Sequence, residues 1–302
     1  MRGWFPASVP FSLLVAALGF LSGCSSVDYQ NPEQVQDILS RIDRPRAKEF
    51  SAQYKAIDQQ IKPDTPKRAD AVFRARRDAG RVLVYERALD SSEPKENRGL
   101  IDFSWSSEKK CTIRAFGKID QAFEAAFRKA GALSVRHGCK DVLVKVSGPG
   151  GDILSALRTG IYIRKMGFYT VSTTGSAVPG CVSACTLLYV SGVKRFGVRE
   201  NESAVGAALN RQLGSSPTDF GTLYFHQAAK PKSTECQSDP NDKGNLFIYA
   251  HFQSMSPESA DLLFAKSMQT DCRDTAQLTF REIAFHRLMN ADYSPLVFKT
   301  FP

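Results

Sequence analysis

The sequence has little that would indicate a metal centre or a nucleotide-binding site. Its 302 residues include four histidines, which are scattered, and no Cys-x-x-Cys pair of the kind that binds zinc. No glycine-rich turn ends in the Lys-Ser/Thr pair of a P-loop or has the spacing of a dinucleotide-binding fingerprint. There is no internal repeat and no low-complexity tract. We therefore expect no metal and no cofactor.

The apolar run near the start, "FSLLVAALGFL", is too short to span a bilayer comfortably. It follows Arg2 and precedes Ser-Gly-Cys, a pattern typical of an export signal over residues 1–23. The ending resembles a bacterial lipobox, which implies cleavage before Cys24 and acylation of its thiol. We expect a lipid-anchored protein of the cell envelope that faces the periplasm, with the outer membrane favoured because Ser25 follows Cys24. The alternative is an ordinary signal peptide cut near Ser25, with Cys24 discarded.

The chain is basic, with 40 Lys and Arg against 31 Asp and Glu. Many of the cations fall in "RIDRPRAKEF" and "PKRADAVFRARRDAGR", where acidic residues are interleaved. This pattern is typical of solvated helical faces rather than of a membrane-surface or nucleic-acid patch. An exported location also makes nucleic acid an unexpected partner.

Six cysteines remain after Cys24, an even number that suggests disulfides in an oxidising compartment. Six cysteines allow fifteen pairings, so the sequence cannot fix the connectivity. We favour Cys236 with Cys272, because both flank a predicted surface insertion. The pairing of the other four stays open: Cys111, Cys139, Cys181 and Cys185.

The composition and the hydrophobic pattern of the chain change near residue 100. Residues 24–100 are polar and punctuated by prolines, which predicts a mostly helical stalk or tether with a small helical or hairpin element at "RVLVYERAL". From residue 101 to 302, strand and helix patterns alternate, which predicts an α/β domain with parallel strand pairing. The strand patterns are "CTIRAFG", "DVLVKVSG", "FYTVSTTG", "KRFGV" and "TLYFHQ". The helix patterns are "DQAFEAAFRKAGALSV", "DILSALRTGIYIRKMG" and "ACTLLYVSG".

Two turns between predicted strands and helices have residues that suit catalysis. In "SGPGGDIL", Gly150 and Gly151 let the backbone approach a ligand and present N–H groups to a negative oxygen. A plain strand-to-helix turn explains this motif equally well. In "PGCVSAC", Ser183 lies where the next helix begins, and by itself it is better explained as a helix cap.

A serine nucleophile needs a base, and His226 is the best candidate because it ends an apolar strand that would hold its ring. The other three histidines lie in helix-like or loop segments without such a strand. Asp271 or Asp274, just before a predicted helix, would orient the imidazole. Taken alone, either aspartate is better explained as a helix cap.

The order of four segments resembles the Clp protease proteolytic subunit and its crotonase-like relatives. The segments are "VKVSGPGGDILSAL", "GCVSACTLLYVSGVKRF", "YFHQ" and "DCRDTAQLTFREIAFHRLMN", within about residues 111–290. The resemblance implies a crotonase-like ββα spiral with parallel sheets. It also implies a Ser-His-Asp triad of Ser183, His226 and Asp271, with Asp274 as the alternative aspartate. Gly151 and Ala184 would supply the oxyanion hole.

We therefore expect an ATP-independent serine peptidase that acts on unfolded or peptide substrates through an acyl-enzyme. The exported location excludes the ATP that an unfoldase partner requires, so no ATPase partner is expected, and a homo-oligomer stays open. The main alternative is a catalytically inactive binding or scaffold lipoprotein, in which a disulfide between the cysteines that flank Ser183 distorts the turn. An acyl-CoA enzyme is disfavoured, because coenzyme A is not expected in the periplasm.

Overall fold

Structural statements below refer to the parts of the chain that the structure, a computed structural model, describes. These are residues 32–65, 80–87, 98–173, 180–196, 222–228, 239–268 and 275–278. In these ranges no helix combines the length and the apolar character that crossing a bilayer requires. The predicted export signal and Cys24 lie outside them.

The described residues form seven helices and nine strands. The helices are α1 (Pro32–Ser40), α2 (Arg44–Gln60), α3 (Gln121–Arg136), α4 (Ile153–Lys165), α5 (Ala184–Val190), α6 (Lys243–Met255) and α7 (Ala260–Ser267). The strands are β1 (Gly80–Glu86), β2 (Leu100–Trp105), β3 (Lys110–Phe116), β4 (Asp141–Ser147), β5 (Tyr169–Ser172), β6 (Gly180–Val182), β7 (Arg195–Phe196), β8 (Thr222–Phe225) and β9 (Ala276–Leu278).

The strands form two mixed sheets. The larger has the order β1-β2-β3-β4-β5-β7, in which β1, β2 and β3 are antiparallel and β3, β4, β5 and β7 are parallel. The smaller has the order β6-β8-β9, with β6 parallel and β9 antiparallel to β8. The predicted α/β class with parallel pairing is therefore confirmed.

Apolar periodicity explains why α3 and α4 form where they do. Phe123, Phe127 and Ala130 recur at helical spacing in α3 and are buried, as the pattern predicts. Asp120 begins this helix by accepting a hydrogen bond from the N–H of Phe123 at 2.8 Å. In α4, Leu157 and Ile161 are fully buried. Both helices therefore cover the sheet with the faces expected from the sequence.

The segment predicted as a stalk is part of the domain where it is described. Phe50 of α2 packs edge-to-face on Phe247 of α6, with ring centroids 5.0 Å apart. Val35 and Ile38 of α1 belong to the same buried cluster. The helical character expected for this segment is present, but α1 and α2 are packed against the domain rather than extended from it as a tether.

The stretch "RVLVYERAL" contributes an edge strand. Residues 81–86 lie in β1, which pairs antiparallel with β2 at one end of the larger sheet. Of the two predictions left open for this stretch, the structure supports the extended one. The larger sheet therefore reaches into the segment that we assigned to the stalk.

His251, a buried histidine of α6, connects α2 to α5. The Nδ1 atom of His251 lies 3.0 Å from the Tyr54 hydroxyl, and its Nε2 atom lies 3.0 Å from both Leu187 O and Ser191 Oγ. Because a carbonyl oxygen only accepts, Nε2 carries the proton and Nδ1 accepts from Tyr54. Burial lowers the pKa of His251 to about 4, with a further lowering from Arg164.

We expect this imidazole to make the fold sensitive to acid. The unfolded chain binds a proton at His251 near pH 6.5, and the folded chain does so only near pH 4. The neutral imidazole of His251 therefore contributes about 3 kcal/mol to the free energy of unfolding. This stability is fully present above pH 6.5 and is lost as the pH falls toward 4. Urea unfolding at pH 7 and pH 4 should show a larger loss of stability for the wild type than for His251→Gln. Equal losses would contradict the assignment.

Candidate active site

Ser183 has an unusual backbone conformation between a strand and a helix. Strand β6 ends one residue before it, and α5 begins one residue after it. Its φ is 56° and its ψ is −128°, and besides Lys109 it is the only described non-glycine residue with positive φ. This conformation costs on the order of 1–3 kcal/mol, and such residues cluster at functional sites. A strained serine between a strand and a helix is the arrangement of a nucleophile elbow, which exposes the hydroxyl.

The alternative explanation of Ser183 as a helix cap is not supported. Its side chain makes no capping hydrogen bond to α5. The residue is partly exposed, whereas Ala184 and Cys185 after it are buried. The hydroxyl is therefore available for another role.

Strand pairing brings His226 next to the serine turn. Strands β6 and β8 are parallel with Val182 opposite Tyr224, and the N–H of Ser183 donates to Tyr224 O at 2.9 Å. His226 lies two residues beyond Tyr224, on the same side of the extended chain. The two residues that the sequence predicted as nucleophile and base therefore follow neighbouring strands.

The imidazole of His226 is oriented by a backbone carbonyl. Its Nδ1 lies 2.5 Å from the carbonyl oxygen of Gln227, so Nδ1 carries the proton and Nε2 has the free lone pair. Burial lowers the pKa of His226, and the hydrogen bond to Gln227 opposes this in part. Among the described residues, no hydrogen bond joins this ring to Ser183. The ring is thus neutral at neutral pH, in the tautomer that a general base requires.

The glycine turn after β4 packs directly against the serine turn. Gly148 forms a parallel bridge with Cys181, which continues β4 alongside β6. A Cβ atom on Gly150 would lie 2.7 Å from the Cβ of Ser183 and 2.9 Å from the nitrogen of Ala184. The φ of Gly150 is +95°, a conformation that glycine adopts readily. Only glycine fits this contact.

Two backbone N–H groups beside Ser183, those of Gly151 and Ala184, make no hydrogen bond to any described residue. The carbonyl of Gly150 accepts from the N–H of Ile119 at 2.8 Å. Because C=O and N–H of a trans peptide point in opposite directions, the N–H of Gly151 points away from Ile119. The bridge between Gly148 and Cys181 lies on that opposite side of the chain, where the serine turn follows β6. The N–H of Ala184 begins α5 and is also unpaired within the described ranges. Such donors suit the oxygen of a tetrahedral intermediate.

A disulfide encloses the serine turn. Cys181 and Cys185 are bonded, with Cα atoms 5.2 Å apart, and both side chains are buried. The bond closes a five-residue ring around Ser183, from the last part of β6 to the first turn of α5. The sequence left this pairing open, and the structure combines the bridge with the strained serine conformation.

A second disulfide lies away from the site. Cys111 at the start of β3 is bonded to Cys139 in the loop after α3, with Cα atoms 5.9 Å apart. The pair that we favoured from the sequence, Cys236 with Cys272, lies outside the described residues.

The two candidate aspartates also lie outside the described residues, but the strand that follows them reaches the site. Ala276, the first residue of β9, is paired with Phe225, the neighbour of His226. Asp274 precedes Ala276 by two residues and Asp271 by five. The choice between them stays a prediction.

The residue that sequence reasoning missed is Asn245 in α6. Its Oδ1 accepts from the N–H of Ala228 at 2.7 Å, and its Nδ2 donates to Asp239 O at 2.9 Å. The side chain is almost completely buried. Nothing in "DKGNLF" signals this contact, since it depends on how α6 packs against the chain after His226.

The described residues contain no cluster of three or more His, Cys, Asp or Glu side chains arranged to hold a metal ion. No protein-family model matches the chain, and a search of curated proteins finds no match. The resemblance to the Clp protease subunit therefore rests on the order of the motifs in the sequence.

Proposed function

We propose that this protein is a serine hydrolase, and specifically a peptidase that acts through an acyl-enzyme. The observation that carries the proposal is the positive φ of Ser183 between β6 and α5, with the glycine turn packed against it. A strained conformation of this kind needs a reason, and presentation of a nucleophile provides one.

Each group at the site has a role in the proposed reaction. His226 Nε2 takes the proton from Ser183 Oγ as the oxygen attacks the substrate carbonyl carbon. The N–H groups of Gly151 and Ala184 hold the oxyanion of the tetrahedral intermediate. The imidazolium then returns the proton to the leaving amine, which breaks the C–N bond and leaves an acyl ester on Ser183. A water activated by the same ring releases the acid product.

The order of the motifs in the sequence supports the proposed fold, catalytic triad and class of substrate. A crotonase-like spiral, a triad completed by Asp271 or Asp274, and polypeptide substrates all follow from the resemblance to the Clp protease subunit. The lipobox-like sequence before Cys24 supports a lipid anchor and an envelope location facing the periplasm. Unfolded segments and peptides are the proposed substrates, because no ATP is present there to drive unfolding.

A fluorophosphonate probe tests the central claim. Ser183 Oγ would attack phosphorus and displace fluoride, with the serine proton passing to His226. We expect mass spectrometry to locate one phosphonylated residue, Ser183, in the folded wild type, and none in Ser183→Ala. Ser40→Ala, which removes a serine on the exposed part of α1, is the matched control and should label normally. Labelling that persists in Ser183→Ala would sink the assignment.

The second candidate function is a binding or scaffold protein without catalytic activity. The observation that favours it is the Cys181–Cys185 disulfide beside Ser183. Disulfide mapping of the purified protein, together with the probe experiment, separates the two functions. An intact bridge with an unlabelled wild type supports the scaffold, and an intact bridge with labelled Ser183 supports the hydrolase.

The pH dependence of labelling follows from His226. Burial lowers the pKa of this ring below the 6.5 that is usual for histidine, so the reactive neutral form is already dominant at pH 7. We expect the labelling rate to be half-maximal below pH 6.5 and flat between pH 7 and pH 8. His226→Gln should lose both the labelling and its pH dependence. A half-maximal rate above pH 7 would contradict the role given to His226.

A further inference from the structure

The peptide bond between Gln227 and Ala228 is held from both sides. Its carbonyl oxygen accepts from Nδ1 of His226 at 2.5 Å, and its N–H donates to Oδ1 of Asn245 at 2.7 Å. A peptide unit is planar, so fixing the direction of its N–H also fixes the direction of its C=O. The orientation of the His226 ring is therefore linked to the side chain of Asn245.

Asn245 is well suited to hold this peptide. Its amide can point only one way, because the oxygen must face the N–H of Ala228 and the NH₂ group must face the carbonyl of Asp239. It lies in the first turn of α6, which Asp242 caps by accepting from the N–H of Gly244 at 2.9 Å. The anchor for the peptide is thus a buried group on a capped helix.

The first turn of α6 and the chain after His226 are also in close contact. A Cβ atom on Gly244 would collide with the Cβ of Ala228 and would lie 3.2 Å from Cδ1 of Ile153, the first residue of α4. The first turn of α6 therefore lies against the chain that follows His226 with no room between them. The peptide cannot rotate without displacing α6 or breaking its hydrogen bond to Asn245.

We propose that Asn245 is a positioning residue for His226. By holding the Gln227–Ala228 peptide, it keeps a carbonyl oxygen facing Nδ1, which fixes the Nδ1–H tautomer and leaves Nε2 free to accept the proton of Ser183. The inference rests on the proposed hydrolase function and adds an orienting group to it. Part of the role that a triad gives to a carboxylate is performed here by a backbone carbonyl.

The first test measures the two labelling parameters separately, the maximal rate kinact and the binding constant KI. In Asn245→Leu the size of the side chain is kept and both hydrogen bonds are lost. We expect kinact to fall about 10- to 100-fold, as when groups that orient reactive ligands are removed, with KI unchanged. Asn245→Asp keeps the acceptor for the N–H of Ala228 and should retain most of the rate.

Asn241→Leu is the matched control. The side chain of Asn241 also makes two hydrogen bonds, from the N–H of Asp43 at 2.7 Å and to Arg41 O at 2.9 Å, and neither involves the Gln227–Ala228 peptide. A loss of stability alone would not change the kinact of the folded protein in either leucine variant. We expect kinact to be unchanged in Asn241→Leu at a temperature where both variants are folded.

The second test reads the tautomer directly and does not require activity. Nitrogen-15 NMR of the imidazole, assigned with His226→Gln, should show the Nδ1–H form of His226 in the wild type and in Asn245→Asp. In Asn245→Leu this form should no longer dominate. An unchanged tautomer and an unchanged kinact in Asn245→Leu would overturn the inference. A wild type that does not label would overturn the proposed function instead, and the tautomer would still decide the role of Asn245.

Discussion

Replacing Gly150 by alanine is expected to remove almost all fluorophosphonate labelling of Ser183 and to destabilise the fold. The new Cβ would lie 2.7 Å from the Cβ of Ser183 and 2.9 Å from both Ala184 N and Val182 O. These atoms belong to the backbone or are fixed to it, so relief requires the serine turn itself to move. We expect the labelling rate to fall about 10²- to 10³-fold, the effect of losing oxyanion stabilisation. The rate constant and a thermal unfolding curve measure the two effects.

Gly167→Ala separates backbone strain from this contact. Gly167 also has a positive φ, +71°, but a Cβ there would meet nothing within 4 Å. This variant should lose about 1–2 kcal/mol of stability and label at the wild-type rate. If Gly150→Ala also labels at the wild-type rate, the glycine turn does not form part of the site.

Removing the Cys181–Cys185 disulfide is expected to lower the stability of the fold and, as a separate effect, to slow the labelling of Ser183. The ring spans a sequence separation of 4, so its loop-closure contribution is about 2 kcal/mol. Without the bridge, the strained Ser183 can relax, and relief of about 1–3 kcal/mol lowers the population of the reactive conformation about 5- to 150-fold. We expect this decrease in kinact for the double variant Cys181→Ala with Cys185→Ala.

The double variant Cys111→Ala with Cys139→Ala is the control. That bond spans a separation of 28, which predicts a larger stability loss of about 3.5 kcal/mol. Because this pair lies away from the serine turn, labelling of the folded protein should not change. An increase of labelling in the Cys181/Cys185 variant would instead show that the bridge distorts the turn, as the scaffold function requires.

The parts of the fold that the sequence predicted are those with strong local periodicity. The stripe of Phe123 and Phe127 in α3 and the apolar run of β4 each determine their element from neighbouring residues. The packing of α1 and α2 was not predictable in this way. Their buried residues are few, and the partner of Phe50, Phe247, lies 197 positions later in the chain.

At the candidate site, too, local sequence patterns predicted some residues, whereas others depend on contacts between distant parts of the chain. The order of the motifs indicated Ser183 and His226, because each follows a recognisable strand. The conformation of Ser183 was not predictable, since it accompanies a contact with Gly150, which is 33 positions earlier in the chain. Asn245 carries no sequence signal at all, because its role depends on one backbone N–H in a neighbouring loop.

The packing of α1 into the domain limits how far the protein would stand from a bilayer. Only seven residues lie between Cys24 and Pro32, where α1 begins. Even fully extended, this linker reaches about 28 Å. In the acylated form that we propose, the protein would therefore lie in the layer next to the lipid headgroups. If it is the peptidase that we propose, polypeptides that emerge from or lie along that surface would be the ones within its reach.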